Sequence, residues 1–533
     1  MKREKISNYI GLFLLLACFA VAIHRIATRP PSNPVDGTER IRFSHWQLEG
    51  GLREAFDQLA REYEALHPGV KIEQVAIPER TYAQWMRTQL VGETITELVQ
   101  LGIGIDDEVL ARFFTPLTEY VEQPNPYNAG TDLAGVPLRD TILDGMQGIS
   151  CYSPNLLEYY GVPVSMFTVR MYYNRTLWQT MLGDVPPPSN YEEFLALCER
   201  IRAISKETGR SVIPIAGSKA NAPALLGRLF SSQVQRLNQS LDTQKTMRPA
   251  VADIQLALLR GDWSIDDPAY TSGLEITRET AAYFQPGYSQ LARDDASFYF
   301  LQNRALMIAT GSWDSPSFRA QADFEIGVFS LPMPTTSHPR FGRYMLGRAS
   351  EAETGTGLAF GIPKQTKNFD RALDFLHFLS SKSGNSTFSR VSGWLPSVVG
   401  VEPADYVKPF LPITDGYLEG FSSDLKIAGG NSSRVLGSAN NILVDPSGSV
   451  QAFKNTIREP LKEAVRQDLA RFSHVTTLNL NRQDAVRLAH EMLSTHTTPP
   501  PASLKKINEI NESQTKLEGI TSWTKHELTR IPE

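Results

Sequence analysis

Three cysteines in 533 residues are too few for a scaffold held by disulfides. Cys18 falls in an apolar leader, and the separation of Cys151 and Cys198 matches no metal-ligand spacing. Two buried thiols are expected there, with one disulfide still open. A net basic charge is also lacking. The formal net charge is −5 and no Lys/Arg block lies beyond the N-terminus, so no field attracts nucleic acid. GxSxG, HExxH and paired Cys/His patterns are missing, which removes the common hydrolase signatures and leaves no metal or cofactor to expect. No internal repeat is visible, which argues against a solenoid.

What is present is a globular composition, 41% hydrophobic and 21% charged, long enough for two to four domains. Lys2, Arg3 and Lys5 precede an apolar run from Ile10 to Ile23, which has the form of an export signal and is short for a membrane span. Ala20-Val21-Ala22 offers a cleavage site, and Leu15-Leu16-Ala17-Cys18 resembles a lipobox whose cysteine is lipidated. An uncleaved anchor extended by Ile26 and Ala27 is the third possibility. Each puts the remainder outside the cytoplasmic membrane: periplasmic, or on the membrane's outer face as a lipoprotein or N-terminally anchored protein. Thr28 to Thr38, with three prolines, reads as an extended tether.

The order of elements then suggests a parallel sheet. Arg40–Trp46 alternates as a strand, and Leu52–Leu66 carries its apolar residues at helical spacing. Val70–Ala76, Tyr82–Leu90 and Leu98–Ile103 continue as strand, helix and strand. Right-handed crossovers follow from that order, and ligands of such sheets bind beyond the carboxyl ends of strands. Trp46 and the turn Gly102–Asp106 both lie at such ends. Later, Val109–Val121, Tyr191–Ile204, Ala222–Leu241, Ala250–Leu259, Ala269–Tyr283 and Asp370–Ser381 read as helices, and Ser165–Tyr173, Ser211–Ala216, Phe324–Phe329 and Leu358–Ile362 as strands. Asp405 to His496 is mostly helical, with Val450–Ala470 and Asn481–Leu493 the long candidates. Thr497–Glu533 is polar with little periodicity and reads as a loosely packed tail. Trp263 reads as structural, while Arg170 could meet a ligand hydroxyl or pair with a surface carboxylate.

One stretch organises the rest. In FLQNRALMIATGSWD, Phe300 to Asp314, the run Ala305–Ala309 suits a buried strand, and Thr310-Gly311-Ser312 turns the chain so that Trp313 stands on the turn with Asp314 behind it. An indole on such a turn can lie against the C–H face of a sugar while the carboxylate accepts from its hydroxyls. The same Trp could instead cap the core beneath the turn.

The segments IRFSHW, EAFDQLAREYEALHPGVKIEQVAIP, ELVQLG, YYGVPVSMFTVRMYYNRTLW, NRALMIATGSWD, GTGLAFGIPKQTKNFDRALDFLHFLSS and GWLP stand in one order from about Arg40 to about His496. Together they resemble the extracellular sugar-binding proteins of bacterial ABC importers, the family 1 solute-binding proteins. The resemblance implies an α/β, two-lobed, periplasmic-binding-protein-like fold of type II. Each lobe would hold a mainly parallel sheet flanked by helices, with a helical C-terminal region. It assigns 1–38 to the leader and tether, 39–164 with 340–398 to lobe 1, 165–339 with 399–496 to lobe 2, and 497–533 to the tail. It lines the cleft with Trp46, Gln47, Glu49, Gly102 and Asp106 from lobe 1, then Ser165, Phe167, Trp313 and Asp314, then Gly355, Thr356 and Trp394. Met166, Phe167 and Val169 stand where many relatives are polar, which implies a less polar wall.

The function implied is capture of a mono- or oligosaccharide and its delivery to the membrane permease of an ABC transporter, by a monomer without cofactor. Two competitors share features with it. A binding protein that feeds a receptor would have the same fold. An exported glycan-cutting enzyme would need a pair of carboxylates at catalytic separation, for which Glu49, Asp106 and Asp314 are the candidates.

Overall fold

The computed structural model describes residues 38–495 and 501–531, with positions 50, 149, 243, 244, 246, 248, 353, 354 and 428 left aside. The leader and nearly all of the tether lie outside the described residues. Among those described, no helix is long and apolar enough to cross a membrane.

Two sheets divide the chain into two lobes. In the first, β1 (Glu39–His45), β2 (Val70–Ala76) and β3 (Leu98–Gln100) run parallel, in the order β3-β1-β2. The alternation of ERIRFSH puts Ile41 and Phe43 into the core. The helix Leu52–Leu66 covers them with Leu52, Ala55, Phe56, Leu59 and Tyr63, all on one stripe.

A two-stranded hairpin, β4 (Tyr152–Ser153) and β5 (Glu158–Tyr159), lies at the edge of this lobe. β6 (Val162–Met166) then enters the first sheet, and the chain passes through Phe167 and Thr168 into β7 (Val169–Asn174) of the second. The single strand expected over Ser165–Tyr173 is therefore two strands in different sheets.

Lobe 2 is built on β7, β8 (Ile213–Ala216), β9 (Ala305–Gly311) and β10 (Ile326–Phe329), ordered β10-β7-β9-β8. Its core gathers Met171, Phe194, Ile201, Ile215, Leu225, Leu229 and Met307. The chain returns to lobe 1 as β11 (Thr356–Gly361) and β12 (Leu395–Pro396), both antiparallel to β6. Each sheet is mixed where mainly parallel pairing was expected: strands that arrive from the other lobe run against those already there, and in lobe 2 only β8 and β9 pair in parallel. The return also comes later than residue 340, because Phe341 belongs to the lobe 2 core and Leu346 N–H bonds Gln235.

The first crossing, the return through Glu351 and the segment 409–411 that follows β12 meet at Arg170. Its guanidinium, 1% exposed, holds both Glu351 oxygens at 2.8 and 2.9 Å and donates to the Pro409 and Leu411 carbonyls at 3.0 and 2.7 Å. Thr168 Oγ1 donates to Phe410 O at 2.5 Å. Arg170 is neither a ligand contact nor a surface pair. It is the buried stitch of the hinge, where a planar fork satisfies a carboxylate and two carbonyls at once.

Cys151 and Cys198 are free and buried in different cores, so they do not pair. Trp263 is buried and donates to Ile254 O, as its structural reading required. The C-terminal region is more ordered than its sequence suggests. Val450–Thr495 is one helix, and Pro501–Arg530 is a second that runs back along it, so the loose tail expected from Thr497 is not found.

Candidate functional site

Trp46 follows β1 directly. Its ring meets Tyr82 edge-on at 4.9 Å, and its backbone N–H donates to Gln100 Oε1 at 3.2 Å. Gly102 follows β3 with φ of +136°, and a side chain there would come within 3.1 Å of Trp46 Cη2. The indole therefore covers the glycine turn, and the two strand-end features of the sequence are one surface. Gln47 links this surface to the next residues. Its amide accepts from Trp46 Nε1 at 3.1 Å and Gln100 Nε2 at 2.9 Å, and donates to Glu49 Oε2 at 3.3 Å.

Across the cleft, β9 ends at Gly311 and a single tight turn carries Ser312 to Asp314. The Trp313 ring lies on Gly311, whose missing side chain makes room for it. Phe167, on the first crossing, meets Trp313 edge-on at 5.5 Å and Trp394 at 5.1 Å, so three aromatic rings form a ladder along the hinge. Trp313 and Phe167 are half-buried and can offer surface. Trp394, 1% exposed, cannot, and it supports Phe167 from beneath.

The two halves are joined by Arg293, a residue that the sequence reading overlooked. It begins the helix Arg293–Leu301, forms an ion pair with Asp314, and approaches Glu49 Oε1 at 3.9 Å. Its guanidinium also sits 5.9 Å from the Trp313 ring centre. Asp314 is buried and accepts from Thr310 Oγ1 at 2.6 Å. Burial raises the pKa of the Glu49 carboxyl, with Arg293 opposing. A continuous polar chain thus runs from Trp46 through Gln47, Glu49, Arg293 and Asp314 to Trp313. Beside it opens an interlobe cavity of about 280 Å³ lined by Leu48, Glu49, Arg293, Ser297, Asp314 and Gln321, among others.

The remaining expected residues are held elsewhere. Ser165 is buried in the sheet and its hydroxyl donates to Leu395 O at 2.7 Å. Thr356 is buried, with its N–H and hydroxyl both bonded to Asp144 at 2.8–2.9 Å, and Gly355 packs over Gly148. Asp106 caps the helix Asp107–Phe113 by accepting from Val109 N–H at 2.9 Å. The Ser165 and Thr356 hydroxyls are engaged within the fold, while Asp106 is exposed and uses one carboxylate oxygen as the cap. Among the described residues, no group of three or more His, Cys, Asp or Glu could hold a metal ion.

The model of the family described as bacterial extracellular solute-binding protein matches residues 49–386, well over half of the chain. The chain belongs to that family. An uncharacterized ABC transporter extracellular-binding protein of Pyrococcus horikoshii is 21% identical over 404 residues, covering 74% of this chain and 79% of that protein. A multiple sugar-binding protein of Streptococcus mutans is 24% identical over 259 residues, 48% of this chain and 55% of its own. Among solved structures, the GacH receptor of Streptomyces glaucescens, described in unliganded form and in complex with acarbose, shares the fold. Its TM-score is 0.54 at 14% identity, covering 80% of this chain and 99% of that one. The matched span of this solute-binding protein holds most of the cleft, and Trp313, Asp314 and Arg293 lie inside it.

Proposed function

We propose that this solute-binding protein captures a carbohydrate outside the cytoplasmic membrane and hands it to the permease of an ABC importer without chemical change. The observation that carries the reading is the chain from Trp46 to Trp313. It sets an aromatic surface from each lobe at strand ends and fills the space between them with amide, guanidinium and carboxylate groups. Sugar rings need both: apolar C–H faces for the indoles, and hydroxyl rims for donors and acceptors placed side by side. The half-buried Phe167 adds apolar wall. The sugar-binding relative in Streptococcus mutans and the acarbose complex of the GacH receptor support the ligand class.

No hydrolytic reading is favoured. The carboxylates Glu49 and Asp314 approach the same guanidinium, so Arg293 stands between them where a glycosidase pair would need open space for the scissile bond and its water. A thermal-shift screen of the protein against mono- and oligosaccharides tests the binding claim, because a ligand of the folded state alone raises the melting temperature. The best ligand, incubated with the protein, is expected to be recovered intact; steady release of reducing ends overturns the carrier reading. The export leader is tested by fractionation, with Cys18→Ser separating lipidation from an uncleaved helix: lost membrane attachment favours the former, unchanged attachment the latter.

A further inference from the structure

We infer that the C-terminal helical hairpin is a strap between the lobes, fixing the angle at which they stand. It lies outside the family span 49–386 and touches both lobes by chemically different means.

On lobe 2 its anchorage has an apolar core with polar bonds around it. Phe453, Ile457, Leu461, Val465 and Leu469 of the helix Val450–Thr495 share one core with Ile254, Trp263, Tyr270 and Leu436. Asp468 caps the helix Asn431–Val444 through the Asn431 and Ser432 N–H groups at 2.8 and 2.9 Å. Arg260 pairs with Glu527 of the returning helix at 3.2 Å. This end cannot leave without breaking the core of the lobe.

Beyond Phe472 the helix leaves that core and continues. Gln483 lies about 17 Å further on at 1.5 Å per residue, and there the hairpin meets lobe 1. Gln483 Nε2 donates to Asn155 O at 3.3 Å. Lys506, 9% exposed, pairs with Glu158 at 3.0 Å and donates to Leu157 O, and Lys505 pairs with Glu122 at 2.7 Å. Every one of these contacts is polar. The hairpin β4–β5 that they grip is itself tied to the cleft, since Ser153 Oγ and Asn155 Nδ2 bond the Asp107 carboxylate at 2.6 and 2.7 Å, directly after the turn that Trp46 covers.

Two lobes on separate sheets, joined by a three-segment hinge, are built to change their angle. A paired helix rod does not stretch, so rotation of one lobe carries the polar tip away from Glu122 and Glu158 by more than a hydrogen bond tolerates. Docking of the tip is therefore compatible with one interlobe angle, and the docked tip adds its contact energy to that arrangement alone. The polar tip can release and rebind while the apolar base stays in place. This inference stands whatever the cleft binds.

The test uses the full chain and needs no ligand. Glu122→Gln with Glu158→Gln removes the lobe 1 acids without altering any residue of the two C-terminal helices. Lys505→Glu with Lys506→Met attacks the same contact from the other side. Each double variant is expected to exchange the amides of residues 152–159 about tenfold faster than wild type, and to broaden the small-angle scattering profile. Far-ultraviolet circular dichroism should stay unchanged, and 1 M salt should move the wild type toward the variants. Unchanged scattering and unchanged exchange in the lobe 1 variant, with helicity intact, would overturn the strap. So would broadening that appears only when the hairpin itself unfolds.

Discussion

Trp313→Ala separates the two roles that an indole on this turn could play. In the structure the ring is half-buried, leans on Phe167 at 5.5 Å and carries Arg293 above it. If a sugar covers its remaining face, binding buries part of the 150–250 Å² an aromatic can cover, worth roughly 2–4 kcal/mol at about 25 cal/mol per Å² once partial coverage is allowed for. At about 1.4 kcal/mol per tenfold, the alanine variant should bind the best carbohydrate of the thermal-shift screen about 30- to 1000-fold more weakly. Trp313→Phe, which keeps a smaller platform, should lose much less. The ring's existing contacts also support the fold, so a stability loss of about 1–2 kcal/mol is expected beside the affinity loss, from the half of the ring already covered. Isothermal titration and urea denaturation on the same preparation read both quantities. Normal affinity combined with a large stability loss would refute the argument, because it would make Trp313 a cap on the hinge and nothing more.

Gly311→Ala tests the same platform from below: its new methyl group meets the Trp313 ring, so affinity should fall several-fold with Trp313 still present, as titration would show. Breaking the hinge stitch with Glu351→Ala leaves the Arg170 charge buried without its partner and should cost about 3–5 kcal/mol in urea denaturation. Arg170→Lys should not be silent either, because an ammonium cannot reach both carboxylate oxygens and two carbonyls. His45 supplies a pH dependence. Burial lowers its pKa from 6.5 to about 4, with Gln74 opposing, so the unfolded chain binds the extra proton first. Its contribution is complete above pH 6.5 and is lost as pH falls toward 4, about 3 kcal/mol in all; His45→Gln should flatten that part of the acid limb in denaturation midpoints.

Much of lobe 1 could be read from the sequence because its residues obey one period at a time. ERIRFSH alternates, LREAFDQLAREYEAL repeats every three or four residues, and each buries the face that its period marks. The C-terminal helix Pro501–Arg530 was missed for the opposite reason. Lys506, Ile510, Gln514, Thr521, Thr524 and Glu527 recur at helical spacing and are buried, but all except Ile510 are polar. A periodicity of burial carried by hydroxyls, amides and charges leaves no hydrophobic signal, although it forms a seam just as regular. The helix Arg293–Leu301 escaped similarly, since only Ala296 and Phe300 of its residues are buried. With it went Arg293, whose one visible sign was Asp295 placed to accept from the Ala292 N–H at the start of a helix.

The site shows where such reading stops. Trp46 and Gly102 could be paired from the sequence because both follow strands of one parallel unit, and strand ends of such a unit share an edge. Ser165, Asp106 and Thr356 also stand at element ends, yet each has its polar group engaged by a neighbour: Leu395 O, Val109 N–H and Asp144. A short polar side chain at a strand or helix end is wanted equally by the backbone beside it and by a ligand beyond it. Position cannot decide between them. What decides is whether another element arrives to claim the group, and for Ser165 that element is β12, some 230 residues later in the chain. Trp313 differs in its size: Gly311, Phe167 and Arg293 contact only part of a half-buried indole, so its role turns on what meets the rest of the ring.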